Sequence, residues 1–354
     1  MLLFKYISFH YLKYFTIILA ALVMFIVGLD YLQNINHLPK SANLVLIYLM
    51  YRSFYAIDMV LPIALVFAMI GTKLYLIKSN SLVSFYSLGY NKKAVLRPFL
   101  IISSLIIMLF IALHDTNFAK ANEISNNIRN FKQYLNPTKN LFFTFNHKYI
   151  YFGELYPLQR RAVNVRIFYT SKQNLQKILI SKEAIYKHHA WELTKVHVIT
   201  KPLTISLHGQ GVFVKTEDTM NALPKFKPKI LNQVYDGRVN FTISDAFEAL
   251  VLFRNQHINI SHIKSALYKI FVYPFFAPLL IVILFVFVPI SSRVLNLSFF
   301  TFMAILATLV VWGLLFMMME YAFTATVSSE MGILLPVFIL FVIAVFYYKH
   351  YIAD

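Results

Sequence analysis

Cysteine is absent from this sequence, and acidic residues are scarce. With no cysteine among 354 residues, a disulfide framework, a thiolate nucleophile and a cysteine-ligated metal are all excluded. Charged residues make up only 14% of the chain and apolar residues 59%, a balance outside the range of soluble domains. The composition therefore predicts a protein that crosses a membrane several times.

Motifs for nucleotide binding and hydrolysis are also missing. A Walker A loop needs glycine followed by lysine, and none of the nine glycines precedes a lysine. The His-Glu-x-x-His and Gly-x-Ser-x-Gly signatures of zinc proteases and serine hydrolases do not occur. His188 and His189 are adjacent, so on a strand they would point to opposite faces and could not chelate one ion. No cofactor is expected in this chain, and if ATP powers the protein, another chain hydrolyses it.

Long apolar runs, by contrast, are abundant. Six nearly uncharged stretches, some with their flanks, are long enough to cross a hydrocarbon core of about 30 Å. They are residues 14–28, 59–72, 98–113, 270–292, 294–319 and 331–348. The first is expected to be a retained helix rather than a signal peptide, because it has no small-residue cleavage site and further spans follow.

The spans form two groups of three around a charged insertion. The expected organisation is residues 1–115 for spans one to three with a cytoplasmic helix at about 80–89, 116–262 for an inserted domain with a return helix, and 263–354 for spans four to six. Alternating apolar and polar residues in the insertion favour an antiparallel sandwich, jelly-roll or open barrel. The alternating runs are 141–145, 149–152, 163–169, 175–180, 191–199 and 211–215. Thr242 or Ser244 is a candidate N-cap for the return helix.

Eight basic residues outside the insertion lie together on one side of the predicted spans. They are Lys5, Lys13, Lys78, Lys92, Lys93, Arg97, Arg293 and Lys349, with only Asp354 as a counter-charge on that side. The positive-inside rule therefore places both termini in the cytoplasm. The insertion has 20 basic and 9 acidic residues, an excess of +11, but long loops translocate largely regardless of charge. It is expected on the outer side of the membrane.

Few charged residues lie within the spans. Arg52 and Asp58 are the exceptions in the second apolar region, where a charge at mid-membrane costs about 2.5–3.5 kcal/mol. They are six positions apart, on different faces of one helix, so each needs a partner elsewhere. Contacts between helices and a polar lining for an amphiphilic substrate are both open interpretations. Asp30, Asp115 and Glu320 are expected at the outer ends of their helices, which favours an interfacial role over intramembrane proteolysis.

The loop 78–97 contains the pattern of a short amphipathic helix. Leu82, Phe85 and Tyr86 fall at i, i+3 and i+4, and Gly89 offers the left-handed residue that ends such a helix. One interpretation is a helix that rests on the lipid surface, with nearby lysines at anionic headgroups. The other is a coupling helix whose apolar side inserts into a groove on a separate ATPase.

Several local patterns occur in a characteristic order along the chain. They are Asp30-Tyr31-Leu32, Leu61-Pro62-Ile63-Ala64-Leu65, Leu82 to Gly89-Tyr90-Asn91, Val165-Arg166-Ile167-Phe168-Tyr169, Ala184-Ile185-Tyr186, Trp191-Glu192-Leu193, Pro274, and Gly332 with Pro336. In this order they resemble the lipopolysaccharide-export permeases, the LptF/LptG (YjgP/YjgQ) family of ABC transporters. No single pattern is specific to this family, but the order of the patterns across six spans is specific to it.

The resemblance implies a polytopic α-helical membrane protein with six transmembrane helices and an inserted all-β, jelly-roll-like periplasmic domain. It implies a permease subunit in the inner membrane of a Gram-negative bacterium that extracts lipopolysaccharide. The implied protein partners are an ABC ATPase dimer, a homologous second permease and a periplasmic jelly-roll bridge protein; nucleic acid is not expected. ATPase coupling is expected at Ser81, Leu82, Phe85, Tyr86 and Gly89, and contacts with lipid headgroups at Lys40 and Arg52.

One departure from the family pattern concerns the coupling helix. The family usually carries a glutamate just before the apolar residues, whereas this chain has Ser81, which cannot supply that charge.

Two other classes of membrane protein are alternatives to a lipopolysaccharide-export permease. An ion-coupled lipid transporter would depend on a mid-membrane acid such as Asp58, and a mechanotransmitting ABC subunit usually has four spans.

Overall fold

The computed structural model describes residues 2–130, 138–145, 148–156, 159–171, 174–188, 190–202, 211–224, 241–253, 261–287 and 296–352. Its α-helices are α1 (Leu2–Asn34), α2 (Ala42–Lys78), α3 (Ser81–Ser87), α4 (Lys92–Leu113), α5 (Ala121–Arg129), α6 (Ile243–Phe253), α7 (Ser261–Phe271), α8 (Phe276–Phe287), α9 (Leu297–Phe323) and α10 (Leu335–Tyr351). A 3-10 turn, Tyr273–Phe275, joins α7 to α8, and a π-helical turn, Glu330–Leu334, precedes α10.

Six helical segments of the described chain are long and apolar enough to span a membrane, as predicted. They are Leu2–His37, Ala42–Lys78, Lys92–Leu113, Ser261–Phe287, Leu297–Phe323 and Glu330–Tyr351. The second is one uninterrupted helix of 37 residues, which at 1.5 Å per residue is roughly 55 Å long. Because this exceeds a hydrocarbon core of about 30 Å, part of α2 extends beyond the core.

The spans differ in how much of their surface the chain itself covers. In the most apolar window, 61% of the residues are buried in the second and fourth spans, but only 11% in the first and 22% in the fifth and sixth. The hydroxyl group of Tyr11 on α1 donates to the Leu65 carbonyl of α2 at 3.1 Å, which fastens one side of α1. The remaining apolar surfaces of α1, α9 and α10 must meet lipid or another chain.

The inserted domain contains an antiparallel sheet. Its strands are β1 (Thr138–Phe145), β2 (Lys148–Tyr156), β3 (Arg161–Ser171), β4 (Asn174–Lys187), β5 (Ala190–Thr200) and β6 (Phe213–Ala222), and each pairs with the next. Alternate residues point into a core around Phe152 and Trp191, whose ring centroids are 5.1 Å apart. This alternation is typical of a sheet that buries one face. The prediction of an inserted all-β domain is confirmed, and the described strands form one open sheet.

Two local predictions about the insertion have different outcomes. The amide N–H of Asp245 donates to the Thr242 hydroxyl oxygen at 3.1 Å, so Thr242 caps the return helix α6, as predicted. His188, however, lies in the turn after β4 with a φ of 46°, so its assignment to a strand is wrong. His189 lies outside the described residues.

The chain divides into two compact units. One consists of Met1–Asn130 and Lys264–Asp354 and contains the spans; the other, Phe131–Ile263, contains the sheet and α6. All the contacts considered below lie within the first unit.

Candidate functional site

The predicted amphipathic helix of the loop 78–97 is α3. Asn80, with a φ of 56°, separates it from α2, and Gly89, with a φ of +87°, follows its end. The amide N–H of Gly89 donates to the Tyr86 carbonyl at 3.0 Å, and that of Tyr90 to the Phe85 carbonyl at 3.1 Å. These two bonds form a Schellman motif, so the predicted left-handed role of Gly89 is confirmed.

The predicted apolar stripe of α3 faces the chain's own helices. Leu82 is fully buried in a core to which α1, α2, α4 and α8 contribute, and Phe85 and Tyr86 are half-buried against it. The Phe85 ring lies 6.0 Å from the ring of Tyr6 on α1. Burial raises the pKa of Tyr86 to about 12, so its hydroxyl group stays protonated at physiological pH. The stripe therefore fastens α3 to the spans.

The opposite side of α3 is exposed and uncharged. Val83 is 39% exposed and Leu88, just beyond the helix, is 74% exposed. Ser84 and Ser87 are exposed between them. Ser81 is half-buried, and its hydroxyl group lies 2.8 Å from that of Ser79. A partner that binds α3 would thus meet Val83 and Leu88 before it met Leu82.

Basic side chains lie on both sides of α3 in the sequence and reach the end of the sixth span. Lys78, Lys92, Lys93 and Arg97 are all exposed. The Lys92 ammonium donates to the Tyr351 carbonyl at 3.2 Å, at the C-terminal end of α10. A lysine in this position is stabilised by the negative end of the helix dipole. The surroundings of α3 are therefore positively charged.

Lys73, five residues before the end of α2, is a buried lysine that the sequence patterns did not identify. The residue is 2% exposed, and its side-chain nitrogen donates to the Phe285 carbonyl at 2.6 Å, in the last turn of α8. The same nitrogen lies 3.7 Å from the centroid of the Phe285 ring. Lys73 thus joins the segment next to α3 to the second group of spans.

Arg52 lies in a polar cluster between α1, α2 and α5. Its guanidinium donates to the Asp30 carboxylate at 2.5 Å and to the Asn122 side-chain oxygen at 3.2 Å, and the Tyr48 hydroxyl group also donates to Asp30. Asp30 is only 7% exposed. The predicted headgroup residue Arg52 therefore has an internal counter-charge. Lys40 is exposed, and it has no ion-pair partner among the residues that the structure describes.

Asp58 lies in a second cluster that connects the two groups of spans. The Lys269 ammonium of α7 lies 2.8 Å from one carboxylate oxygen, and the His114 Nε2 atom, just after α4, lies 2.9 Å from the other. His114 Nδ1 lies 2.9 Å from the Phe110 carbonyl oxygen, so each ring nitrogen faces an oxygen acceptor. Two interpretations of Arg52 and Asp58 were open, contacts between helices and a polar lining for an amphiphilic substrate. In the structure both residues make contacts between helices.

The other acidic residues at the span ends differ in their surroundings. Asp30 lies about one turn before the end of α1, as expected, but it is buried rather than hydrated. Glu320 lies in the last turn of α9, and Asp115 lies in the turn after α4, both at the ends of spans. Within the described ranges, no group of three or more metal-ligating side chains is close enough to hold an ion.

Comparison with protein families identifies a match over nearly the whole chain. The family model described as lipopolysaccharide export system permease LptF/LptG matches residues 5–350, which include both groups of spans and the inserted domain. No curated protein matches the sequence.

Proposed function

Because the chain belongs to the lipopolysaccharide export permease LptF/LptG family, we propose that it is the permease subunit of an ABC transporter that extracts lipopolysaccharide from the inner membrane. The observation that carries the proposal is the match over residues 5–350, which covers six spans and an inserted β domain together. The domain would then pass the lipid to a periplasmic bridge protein of similar fold. A transport subunit of this family is not itself an enzyme.

A homologous second permease is part of the proposal. It is supported by the low burial of the first and fifth spans, at 11% and 22% of their most apolar windows. Exposed side chains on these helices include Met24 and Phe25 on α1 and Phe302 and Val310 on α9. A second chain with similar faces would enclose an apolar cavity between the two subunits. The acyl chains of lipopolysaccharide would occupy that cavity.

The ATPase contact is proposed at α3, on the side that Val83 and Leu88 expose. ATP and Mg²⁺ would bind to the ATPase dimer. Since Ser81 replaces the usual glutamate, attraction between the subunits would come from the basic residues around α3 and acidic residues on the ATPase. In this proposal, Leu82, Phe85 and Tyr86 hold α3 in place instead of entering the ATPase groove themselves, and Ser81 and Gly89 lie at the ends of α3.

Movement of α3 would pass into the spans through buried contacts. Leu82 belongs to the core of α1, α2, α4 and α8, and Lys73 links α2 to the Phe285 carbonyl of α8. Such contacts transmit displacement because packed cores resist compression. ATP-driven closure of the ATPases would thereby shift the helices around the cavity and move the lipid out of the membrane toward the periplasmic domain.

The orientation proposed for the chain places both termini in the cytoplasm and the β domain in the periplasm. It is supported by the basic residues around α3 and by the positive-inside rule. Lys40, exposed between α1 and α2, would then lie on the periplasmic side, where lipid phosphates are available. Arg52 would contribute to headgroup binding only if its pair with Asp30 opened.

Mass spectrometry of the proteins that co-purify with the tagged chain tests this proposal. The tagged protein is extracted from its native membrane in mild detergent, and a tagged, unrelated six-span protein is the control. Recovery of an ABC ATPase and a second six-span permease is expected. Recovery of the chain alone would contradict the proposal and favour the ion-coupled alternative.

A further inference from the structure

A cleft in the membrane-spanning unit lies away from the faces of α1 and α9. It has a volume of about 960 Å³ and is lined by α4, α7, α8 and the start of the sixth span. Its wall is largely apolar and includes Leu100, Phe275, Leu279, Leu334, Phe338 and Phe341. The volume falls at the upper end of the range of about 300–1,000 Å³ that small-molecule pockets occupy.

Two interruptions of regular helix contribute to the cleft. The 3-10 turn Tyr273–Phe275 breaks the fourth span at Pro274, which has no N–H to donate. The π-helical turn Glu330–Leu334 widens the start of the sixth span, and π-turns are frequent at functional sites. Phe275 lines the cleft from the first interruption, and Met331 and Leu334 from the second.

One lining residue of the cleft, Glu330, belongs to an ion pair. The Lys264 ammonium of α7 lies 3.1 Å from the Glu330 carboxylate, and Glu330 is itself a lining residue. Both side chains are accessible, with exposures of 40% and 47%. The cleft therefore offers a negative group at Glu330 with a positive group beside it, and the rest of its wall is largely hydrocarbon.

We propose that this cleft binds one acyl chain of a zwitterionic bilayer phospholipid with a primary ammonium headgroup. The chain lies along Leu279, Leu334 and Phe338. The phosphate lies at Lys264 and the ammonium at Glu330, so the exposed ion pair is exchanged for two charge-assisted contacts with opposite charges. Because the surrounding bilayer is as apolar as the cleft, the headgroup contacts decide which lipid remains bound.

The composition of the wall favours a lipid over a transmembrane helix of another protein. Helices that associate in membranes use small residues to bring their backbones close. Among the described residues that line the cleft there is no glycine or alanine, and Ser104 is the smallest. Four phenylalanines instead give a wall of large flat side chains: Phe271, Phe275, Phe338 and Phe341. Such a wall suits a flexible chain.

Photo-crosslinking of the full chain tests the site. The protein is reconstituted in vesicles of ethanolamine and glycerol phospholipids in equal amounts, with a trace of ethanolamine phospholipid that carries a diazirine near the end of one acyl chain. After illumination, adducts are mapped by mass spectrometry. They are expected to concentrate on residues 271–282 and 331–341, rather than on helix α9, which is less buried than the fourth span. Adducts spread evenly over the spans would overturn the proposal.

Matched variants separate the two parts of the site. Leu279→Trp fills the cleft and is expected to lower the adducts there about tenfold, whereas Ile339→Trp, on an exposed part of α10 outside the lining, should leave them unchanged. Lys264→Gln with Glu330→Gln changes only exposed side chains, so the protein should fold. The unmodified protein should prefer the ethanolamine probe several-fold over a glycerol phospholipid probe, and this double variant should lose that preference. Equal labelling by the two probes in the unmodified protein would overturn the headgroup assignment.

Discussion

At the scale of single residues, the buried pair of Asp58 and Lys269 has the clearest energetic consequence. Their side chains are only 13% and 25% exposed, and His114 contacts the same carboxylate. Removing one member of a buried pair leaves a charge without its partner, which costs about 3–5 kcal/mol. Asp58→Asn should therefore lower the thermal unfolding temperature of the detergent-solubilised protein, measured by differential scanning fluorimetry.

Two comparisons make that result specific. Asp58→Asn combined with Lys269→Met removes both charges and should recover much of the lost stability. Lys264→Gln breaks an exposed pair and should change stability by less than about 1 kcal/mol. In transport assays Asp58→Asn should reduce export in proportion to the folded protein that remains. Complete loss of export in a fully folded variant would instead support ion coupling through Asp58.

The sequence identified the charges inside the spans better than it identified their partners. Arg52 and Asp58 were recognised as needing partners, but His114 and Lys269 were not recognised as the partners of Asp58, and Lys73 was not recognised as a buried residue. Each of these three lies one position beyond a predicted span, at 59–72, 98–113 and 270–292. Because a charged or polar residue was used to end each apolar run, the burial of that residue could only be seen in the packed structure.

At the scale of elements, α3 presents different residues to its own chain and to a partner. Leu82 is fully buried, whereas Val83 is 39% exposed and Leu88 is 74% exposed. Val83→Asp with Leu88→Asp should leave the unfolding temperature nearly unchanged and abolish co-purification of the ATPase, because the new charges remove the apolar contact. Leu82→Ala should instead destabilise the permease by about 2–5 kcal/mol, since it opens a cavity.

The exposed serines of α3 provide the control for this experiment. Ser84→Ala and Ser87→Ala alter the same side of the helix without adding charge, and should retain ATPase binding. Retained binding in the variant with Val83→Asp and Leu88→Asp would show that the ATPase contacts some other surface of this permease.

The π-helical turn at the start of the sixth span depends on Gly332. A Cβ atom at this position would lie 2.6 Å from the Ala322 Cβ atom and 2.7 Å from the Met318 carbonyl oxygen. Gly332→Ala is therefore expected to destabilise the protein by about 1–3 kcal/mol, measured as a lower unfolding temperature. Gly313→Ala, where a Cβ atom would meet nothing within 4 Å, is the matched control on α9. Equal stability of the two variants would contradict the close packing.

A helix or strand could be predicted from the sequence where a single periodic pattern of apolar residues determines it. All six spans and the alternation of the strands follow from hydropathy, and Gly89 and Thr242 follow from local hydrogen bonding. The break of the fourth span at Tyr273–Phe275 and the π-helical turn Glu330–Leu334 were not predicted. The first lies inside a continuous apolar run and the second at the start of one. Pro274 acts by lacking an N–H and Gly332 by packing closely against α9, and neither effect is visible as a repeat.

At the scale of the whole molecule, the proposed orientation can be measured without background labelling, because the chain has no cysteine. Thr219→Cys places a thiol on an exposed position of β6, and Ser87→Cys places one on the exposed side of α3. In intact spheroplasts, a membrane-impermeant maleimide should label Thr219→Cys at once and Ser87→Cys only after permeabilisation. The reverse pattern would place the β domain in the cytoplasm.

The central claim concerns the permease complex and its lipid, so the most direct measurement is release of lipopolysaccharide from proteoliposomes. Vesicles that contain this chain, its co-purified second permease and the ATPase are loaded with labelled lipopolysaccharide and incubated with the periplasmic bridge protein. Transfer of label to the bridge is expected with ATP and Mg²⁺, and should be lost when ATP is omitted or the α3 variant with Val83→Asp and Leu88→Asp is used. Transfer that proceeds equally without ATP, or without this chain, would contradict the account.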